Sequence, residues 1–500
     1  MKTSFRIPAV LVVIIAVGWI LFGLSIPIYT FHAVRQAHTA MIAYSLWAGG
    51  IALDHCRLLF GGPSGTAIPF ELPVYDAVVA LGYHLLGQHD VVAKGVAVLF
   101  SVGACATFVA VGKLLAPEVE SIYWLAAFLV PPTWIHSAQA VQPEAIMMCI
   151  AVGMVLCTIK TYRTGSYGYA ALLCATSALG VCIKANEVFH LFLLPWALLV
   201  FGARKRRFLA VAAVQLLTSA TAAYLWTQVG IKWPGTSLGE LVWQTYFDVG
   251  RFAEAQSFNK AGGTLVLLLA PPVVVYLVWL GVRSLGANTH RSEWSALGLC
   301  GLAYLVAGYP LYSLHTYYLN PLVPFVAMFS IKGLVALPET LSMNKRRQWV
   351  IVALCVVSLP VWVLGTRVLY SMQTAQIAPA GELAQKYSRP GEPLIVLDQS
   401  ARWSRSRVET RALYASRRFG WNITSNDPRH AREELSAYRA QGARLVLVLD
   451  YDPRFEPRVM AVLRTYRPTY KIYDPTDLGL VLLEKDDYYK ISVWRFAGSD

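Results

Sequence analysis

Apolar residues fall into long blocks separated by short polar connections over the first three quarters of the chain. Blocks of about 17 to 25 apolar residues match the helix length that crosses a hydrocarbon core of roughly 30 Å. Lipid offers backbone groups no partners, so such blocks must be helical. The pattern predicts about eleven spans, at 7–29, 91–115, 121–138, 142–160, 168–184, 187–202, 208–229, 263–283, 295–312, 316–337 and 349–370. The first block is too long for a signal-peptide core and lacks a clear small-residue cleavage site, so it reads as a retained first helix. Val74 to Leu86 is apolar but short, and reads as an interfacial or half-buried helix rather than a span.

Beyond Ser371 the apolar runs shorten and charge rises. Pro393 to Asp398, Arg444 to Asp450 and Gly479 to Glu484 predict strands, and Arg429 to Gln441 and Glu456 to Tyr466 have helical spacing. The expected fold class is therefore a mainly α, polytopic membrane protein with a C-terminal extracytoplasmic α/β domain. Residues 1–370 would form the membrane domain, including an outer loop at 30–90, and 371–500 the second domain.

Composition agrees: 56% of residues are apolar, 14% are charged and mean hydropathy is +0.48. The net charge of +14 raises the question of nucleic acid. Its distribution answers it, because the basic residues cluster between apolar blocks, as in Arg204 to Arg207 and Lys345 to Arg347. Counting from Lys2 and Arg6, every basic junction (Lys113, Lys160 with Arg163, Arg204 to Arg207, Arg283 with Arg291, Lys345 to Arg347) falls on one side, the cytoplasmic one. The expected location is thus the plasma (inner) membrane, with the N-terminus cytoplasmic and the tail outside, and no nucleic-acid partner. Seven of the eight cysteines lie inside apolar blocks without metal-ligand spacing and read as small hydrophobes.

The same topology brings four groups of polar side chains to the outer face. The segment from Phe31 to Ala43 offers Arg35, Gln36 and His38, with Arg35, His38 and Ile42 on one helical face. Such a helix can hold a phosphate, or can simply snorkel its charges into water. Glu71 stands between Pro69 and Pro73, which suits either a fixed base or ion ligand or a helix cap. Glu144 follows Gln142-Pro143 at the outer end of a span, where capping again competes. Lys184 interrupts near-continuous hydrophobicity in Cys182-Ile-Lys-Ala-Asn-Glu187; ionisable groups at membrane depth usually face a cavity, and a lysine there can meet a phosphate as a point charge. His315-Thr-Tyr-Tyr318 joins two spans; Tyr317 and Tyr318 suit an aromatic belt, or with His315 a sugar or phosphate site. No Walker A, zinc-protease or dinucleotide-binding glycine pattern occurs. Asn422-Ile-Thr424 has sequon spacing.

These pieces, taken in order, resemble the membrane glycosyltransferases of the GT-C superfamily, specifically bacterial relatives of protein O-mannosyltransferases and lipid A aminoarabinose transferases. The resemblance rests on Phe31-His32, Arg35-Gln36 and Thr39 to Ala43 after the first span, on Phe70-Glu-Leu-Pro-Val-Tyr75, and on Gln142-Pro-Glu144 and Ile183-Lys184. His315-Thr-Tyr-Tyr318 with Pro321 and Pro324, and Phe419-Gly-Trp421 in the tail, complete it. It implies transfer of a sugar from a polyprenyl-phosphate donor to an envelope glycan, lipid or protein acceptor on the outer face of the bilayer, with an acidic residue of the first outer loop as base. Similar proteins often carry Asp just before the Phe-His pair, where this chain has Thr30. Glu71 is then the first choice of base, followed by Asp54 and Glu144. Arg35, Gln36, His38, Lys184, His315, Tyr317 and Tyr318 are the expected substrate-binding residues, with Arg35, Lys184 and His315 neutralising the departing lipid phosphate. A phosphate leaving group already tolerates negative charge, so no metal or other cofactor is required, and single in-line attack would invert the anomeric centre. Two other readings are a transporter or flippase for a lipid-linked substrate, with Glu144 and Lys184 as coupling groups, and a non-catalytic descendant of the transferase.

Overall fold

The computed structural model describes residues 6–28, 32–62, 66–67, 71–202, 206–231, 262–287, 290–342, 345–370, 377–398, 410–423, 428–449, 480–486 and 491–496. Thr30, the strand start at Gly479 and the helix expected at Glu456 to Tyr466 lie outside them. The chain divides into two compact units: 1–25, 69–74 and 94–369 form one, and 26–68, 75–93 and 370–500 the other.

The first unit is a helical assembly. Among the described residues, six helices are long and apolar enough to cross a membrane: Arg6–Ser25, Asp90–Leu115, Glu144–Thr164, the run Tyr167–Phe201, Phe208–Val229 and Thr316–Leu337. The bent pair Gly262–Leu269 and Pro272–Arg283 would make a seventh. This is a multi-pass membrane protein.

The breaks have identifiable causes. The expected span at 121–138 is two helices, Ser121–Leu129 and Pro132–Ser137, because Pro131 and Pro132 cannot continue the backbone ladder. Pro271 and Pro272 likewise bend the 263–283 block by 94°. There Ser358 Oγ accepts the backbone N–H of Val273 at 2.9 Å, supplying a partner that the broken ladder cannot. The block at 295–312 is interrupted at Gly308. The one at 316–337 opens as a tight 3-10 turn, Thr316–Leu322, with Pro321 inside it.

Close backbone approach holds part of this unit together. A Cβ on Gly333 would fall 1.9 Å from Leu277 O, and one on Gly281 would fall 2.2 Å from Phe329 O. The Pro272–Arg283 helix and the Val323–Ser342 helix therefore meet through small residues, the packing mode that lipid favours because it depends on van der Waals contact rather than on water exclusion.

The second unit is built on a five-stranded sheet. Its strands are β3 (Leu394–Asp398), β4 (Gly420–Asn422), β5 (Leu445–Leu449), β6 (Leu480–Asp486) and β7 (Ile491–Phe496), in spatial order β4-β3-β5-β7-β6. β3 runs parallel to β4 and β5, while β7 runs antiparallel to β5 and β6. Every residue of β5 is buried, as expected for a strand covered on both faces. Ile395, Val446, Val448, Trp421, Trp494 and Phe496 share one core with Leu435 of the helix Pro428–Ala440. Each such side chain contributes about 1.5–3 kcal/mol by leaving water.

Part of the segment between the first two long apolar helices belongs to this unit. The helix Ala33–Gly49 packs against Thr410–Ser416, and β1 (Arg57–Leu58) pairs with β2 (Thr66–Ala67). Residues 59–62 join the edge of the sheet: Gly420 N–H donates to Leu59 O, and Gly61 and Gly62 N–H both donate to Gly420 O, all at 2.9 Å. The pairing of Gly420 with Leu394 of β3 requires glycine, since a Cβ on Gly420 would sit 1.7 Å from Leu394 O. The expected short helix forms at Val74–Leu86, with Tyr75, Val79, Ala80 and Tyr83 buried and Leu85 and Leu86 exposed. Asn422 is 3% exposed, which argues against the sequon as a modification site, because glycosylation needs an accessible side-chain amide.

Candidate functional site

The site begins at a break in a helix. Lys184 has extended backbone angles (φ −160°, ψ 81°) inside the Tyr167–Val188 helix, so the carbonyls just before it lose their normal partners four residues on. One of them is used elsewhere: Cys182 O accepts the backbone N–H of Leu72 at 2.9 Å. That bond fixes the segment carrying Glu71, which is half-buried, beside the break.

Lys184 itself is buried, with its side chain 4% exposed, between two carboxylates that are 0% and 3% exposed. It donates a short hydrogen bond to Glu144 Oε1 and lies 2.7 Å from Glu187 Oε1. Its ammonium also faces the rings of Tyr317 at 4.6 Å and Tyr318 at 5.0 Å, a cation–π arrangement. His315 is exposed and stacks on Tyr317, with centroids 5.3 Å apart and planes 6° from parallel.

The turn bearing these rings is held from below. Asn320, fully buried, accepts from Thr133 Oγ1 at 3.2 Å and donates to Ser137 Oγ at 2.8 Å. Tyr304 Oη donates to Tyr318 O at 2.8 Å. A buried polar network of this kind fixes one arrangement when its members are satisfied.

Several polar atoms around the lysine are not satisfied among the described residues. Glu144 Oε2, both side-chain polar atoms of Gln142 and Asn186 Nδ2 are buried without a hydrogen-bond partner. His190, fully buried against Tyr304 (4.8 Å) and Phe325 (5.4 Å), has neither ring nitrogen bonded. Buried polar groups of this kind are costly unless they are bonded.

The structure adds partners to two of the candidates. Glu144 stands in the first turn of the Glu144–Thr164 helix, as expected, but is buried and paired with Lys184. Lys184 is flanked by two carboxylates, so an incoming phosphate would meet it as the centre of a charged group. Glu187 was legible only as the last residue of the Lys184 motif, and its place three residues on was the available signal, because i and i+3 share a helix face. Lys94 was missed as well: it is 1% exposed and donates to Gly23 O at 2.6 Å.

The remaining candidates belong to the second unit. Arg35, Gln36 and His38 lie on the helix Ala33–Gly49, with Gln36 1% exposed. His38 is also largely enclosed; burial, then the neighbouring Arg35 charge, lower its pKa from 6.5 to about 4, so it stays neutral at physiological pH. Asp54 lies in the short 3-10 turn Leu53–His55. Among the described residues no group of three or more His, Cys, Asp or Glu side chains converges as a metal site.

The sequence matches no protein-family model and no curated protein. Solved structures do match over nearly the whole chain. ArnT from Cupriavidus metallidurans, solved with undecaprenyl phosphate bound, is 13% identical, with 98% of each chain covered and a TM-score of 0.61. The Archaeoglobus fulgidus oligosaccharyltransferase, solved with a tethered acceptor peptide, is 13% identical over 89% of this chain and 69% of its own, with a TM-score of 0.55. The mycobacterial arabinofuranosyltransferase AftD is 15% identical and covers all of this chain with 40% of its own, at a TM-score of 0.52. The chain has the fold of the GT-C membrane glycosyltransferases.

Proposed function

We propose that this protein is an integral membrane glycosyltransferase that moves a sugar from a polyprenyl-phosphate donor to an envelope glycan, lipid or protein acceptor on the outer face of the membrane. The observation that carries the reading is the buried Glu144–Lys184–Glu187 group capped by Tyr317 and Tyr318, set where Leu72 ties the Glu71 segment to the broken helix. It occurs in a fold shared with a transferase that binds undecaprenyl phosphate.

In this reading Glu71 accepts the proton of the attacking acceptor hydroxyl. The hydroxyl oxygen bonds to the anomeric carbon as the bond to the lipid phosphate breaks, and the lipid phosphate leaves with the electron pair, inverting the anomeric centre. Lys184 meets the charge that grows on that phosphate, and its carboxylate partners must yield part of their hold on it as the phosphate arrives. Tyr317, Tyr318 and His315 offer ring faces and polar edges suited to a sugar. A flippase with coupling charges predicts them near mid-span, whereas Glu144 opens its helix.

The test is Glu71→Gln in the full-length protein, assayed for transfer from polyprenyl-phosphate sugars to an envelope extract, alongside mass analysis of envelope lipids and glycans from cells lacking the gene. Loss of transfer with a correctly inserted, folded protein is expected. Transfer at the wild-type rate would remove Glu71 as base, and an unchanged envelope with no transfer in vitro would remove the activity.

A further inference from the structure

The opposite end of the first unit holds a second constellation, which the proposed transfer does not use. Arg163, at the end of the Glu144–Thr164 helix, donates through Nε to Glu293 Oε1 (3.1 Å), through Nη1 to Leu114 O (2.8 Å) and through Nη2 to His290 Nδ1 (3.0 Å). Guanidinium has no acceptor, so His290 Nδ1 must accept, which puts the ring hydrogen on Nε2. The arginine thereby fixes His290 as a neutral donor.

His290 lines a cavity of about 150 Å³ together with Trp294, Ile331, Lys332, Val335 and the Leu115–Glu118 turn. Among the described residues the Lys332 ammonium makes no hydrogen bond or ion pair; it lies 5.9 Å from the centre of the Trp294 ring. A cation, a neutral N–H donor and an aromatic wall around an open volume form a receptor for an anion. Glu118, exposed on the rim, is close enough for its charge to act on Lys332 and repels an incoming anion in proportion to the anion's charge, so a singly charged anion is opposed less than a doubly charged one. Leu115, Ile331 and Val335 add apolar wall beside the charged groups.

We infer that this cavity binds the phosphodiester of a membrane phospholipid headgroup, with Lys332 as the charged ligand and His290 as the neutral donor. A phosphodiester carries one negative charge, brings acyl chains to the apolar walls, and leaves the remainder of the headgroup toward Glu118. Free inorganic phosphate, a mixture of mono- and dianion near neutral pH, has no fixed single charge and no acyl chains.

The test is native mass spectrometry of the detergent-purified full chain, titrated separately with short-chain phosphatidylglycerol, with diacylglycerol and with inorganic phosphate. One saturable phosphatidylglycerol is expected, with no diacylglycerol at the same concentration. Lys332→Gln should weaken binding at least about tenfold, and Lys332→Arg should retain it. Val335→Trp, which fills the cavity while keeping every charge, should also lose the lipid and covers the case in which Lys332→Gln does not fold. Saturation by inorganic phosphate without the lipid, phosphatidylglycerol binding within twofold of wild type in Lys332→Gln or Val335→Trp, or no saturable binding at all would overturn the proposal.

Discussion

Replacing Lys184 by Met tests the buried ion group directly. The substitution keeps the length of the side chain and removes its charge, leaving Glu144 and Glu187, 0% and 3% exposed, without their cation. Breaking a buried pair from one side costs about 3–5 kcal/mol, because the remaining charge keeps its desolvation penalty and loses its compensation. Here two carboxylates share one lysine, so the upper part of that range is expected. Against a total stability of about 5–15 kcal/mol this is a large fraction. The double replacement of Glu144 and Glu187 by Gln in the same background removes the stranded charges, and Lys184→Met/Glu144→Gln/Glu187→Gln should recover much of the loss. Denaturant unfolding of detergent-solubilised protein, followed by tryptophan fluorescence, reads both effects. A Lys184→Met variant within about 1 kcal/mol of wild type would refute the reasoning, since it falls well short of the cost of a broken buried pair. A triple variant no more stable than the single would refute it as well.

Other outcomes follow from the same geometry. Gly333→Ala should destabilise the helical unit by at least 1–3 kcal/mol, the usual cost of overpacking, because its Cβ meets the Leu277 backbone at 1.9 Å; thermal unfolding of the purified protein measures it. Gly420→Val should disrupt the β4 edge and expose the 59–62 segment to limited proteolysis, which wild type resists. His38 has a folded pKa of about 4 against 6.5 for the free side chain, so the unfolded state binds more protons between those values. Stability should accordingly be fully present above about pH 6.5 and decline as pH falls toward 4; melting temperatures from pH 4.5 to 8 should show a shallower decline for His38→Gln. Asn422 should remain unmodified when the protein is produced in a host that glycosylates sequons, as intact mass would show, since its amide is buried.

Most of the helical framework was legible because lipid imposes one rule on every spanning segment, and the apolar blocks obey it. The breaks were less so. Pro131-Pro132 and Pro271-Pro272 were visible, but a proline inside an apolar block says that the ladder is interrupted, not by how much the chain turns. The strands at 394–398 and 445–449 were found within a residue of their ends because continuous apolar runs closed by Asp suit a sheet covered on both faces. Strand Ile491–Phe496 escaped, since its Ser492 and Arg495 dilute the apolar signal while the pairing with β5 and β6 comes from residues distant in sequence.

For the site, Lys184 stood out as a charge in an apolar run, and Tyr317 and Tyr318 as a polar connection. What no spacing could supply was their convergence, or that Glu144, forty residues before Lys184, is its partner. Such pairing is decided by which helices pack together, and helix packing is a property of three dimensions.

The three bonds between Gly420 and residues 59–62 have a consequence for biosynthesis. A ribosome delivers the chain from its N-terminus, so Leu59, Gly61 and Gly62 emerge well before their partner and wait through the synthesis of more than three hundred intervening residues, most of the membrane helices among them. That loop is thus finished late, and a nascent chain halted before Gly420 carries residues 59–62 without the edge strand that they join. Assembly of that loop reports that translation has passed Gly420 and that the sheet has formed.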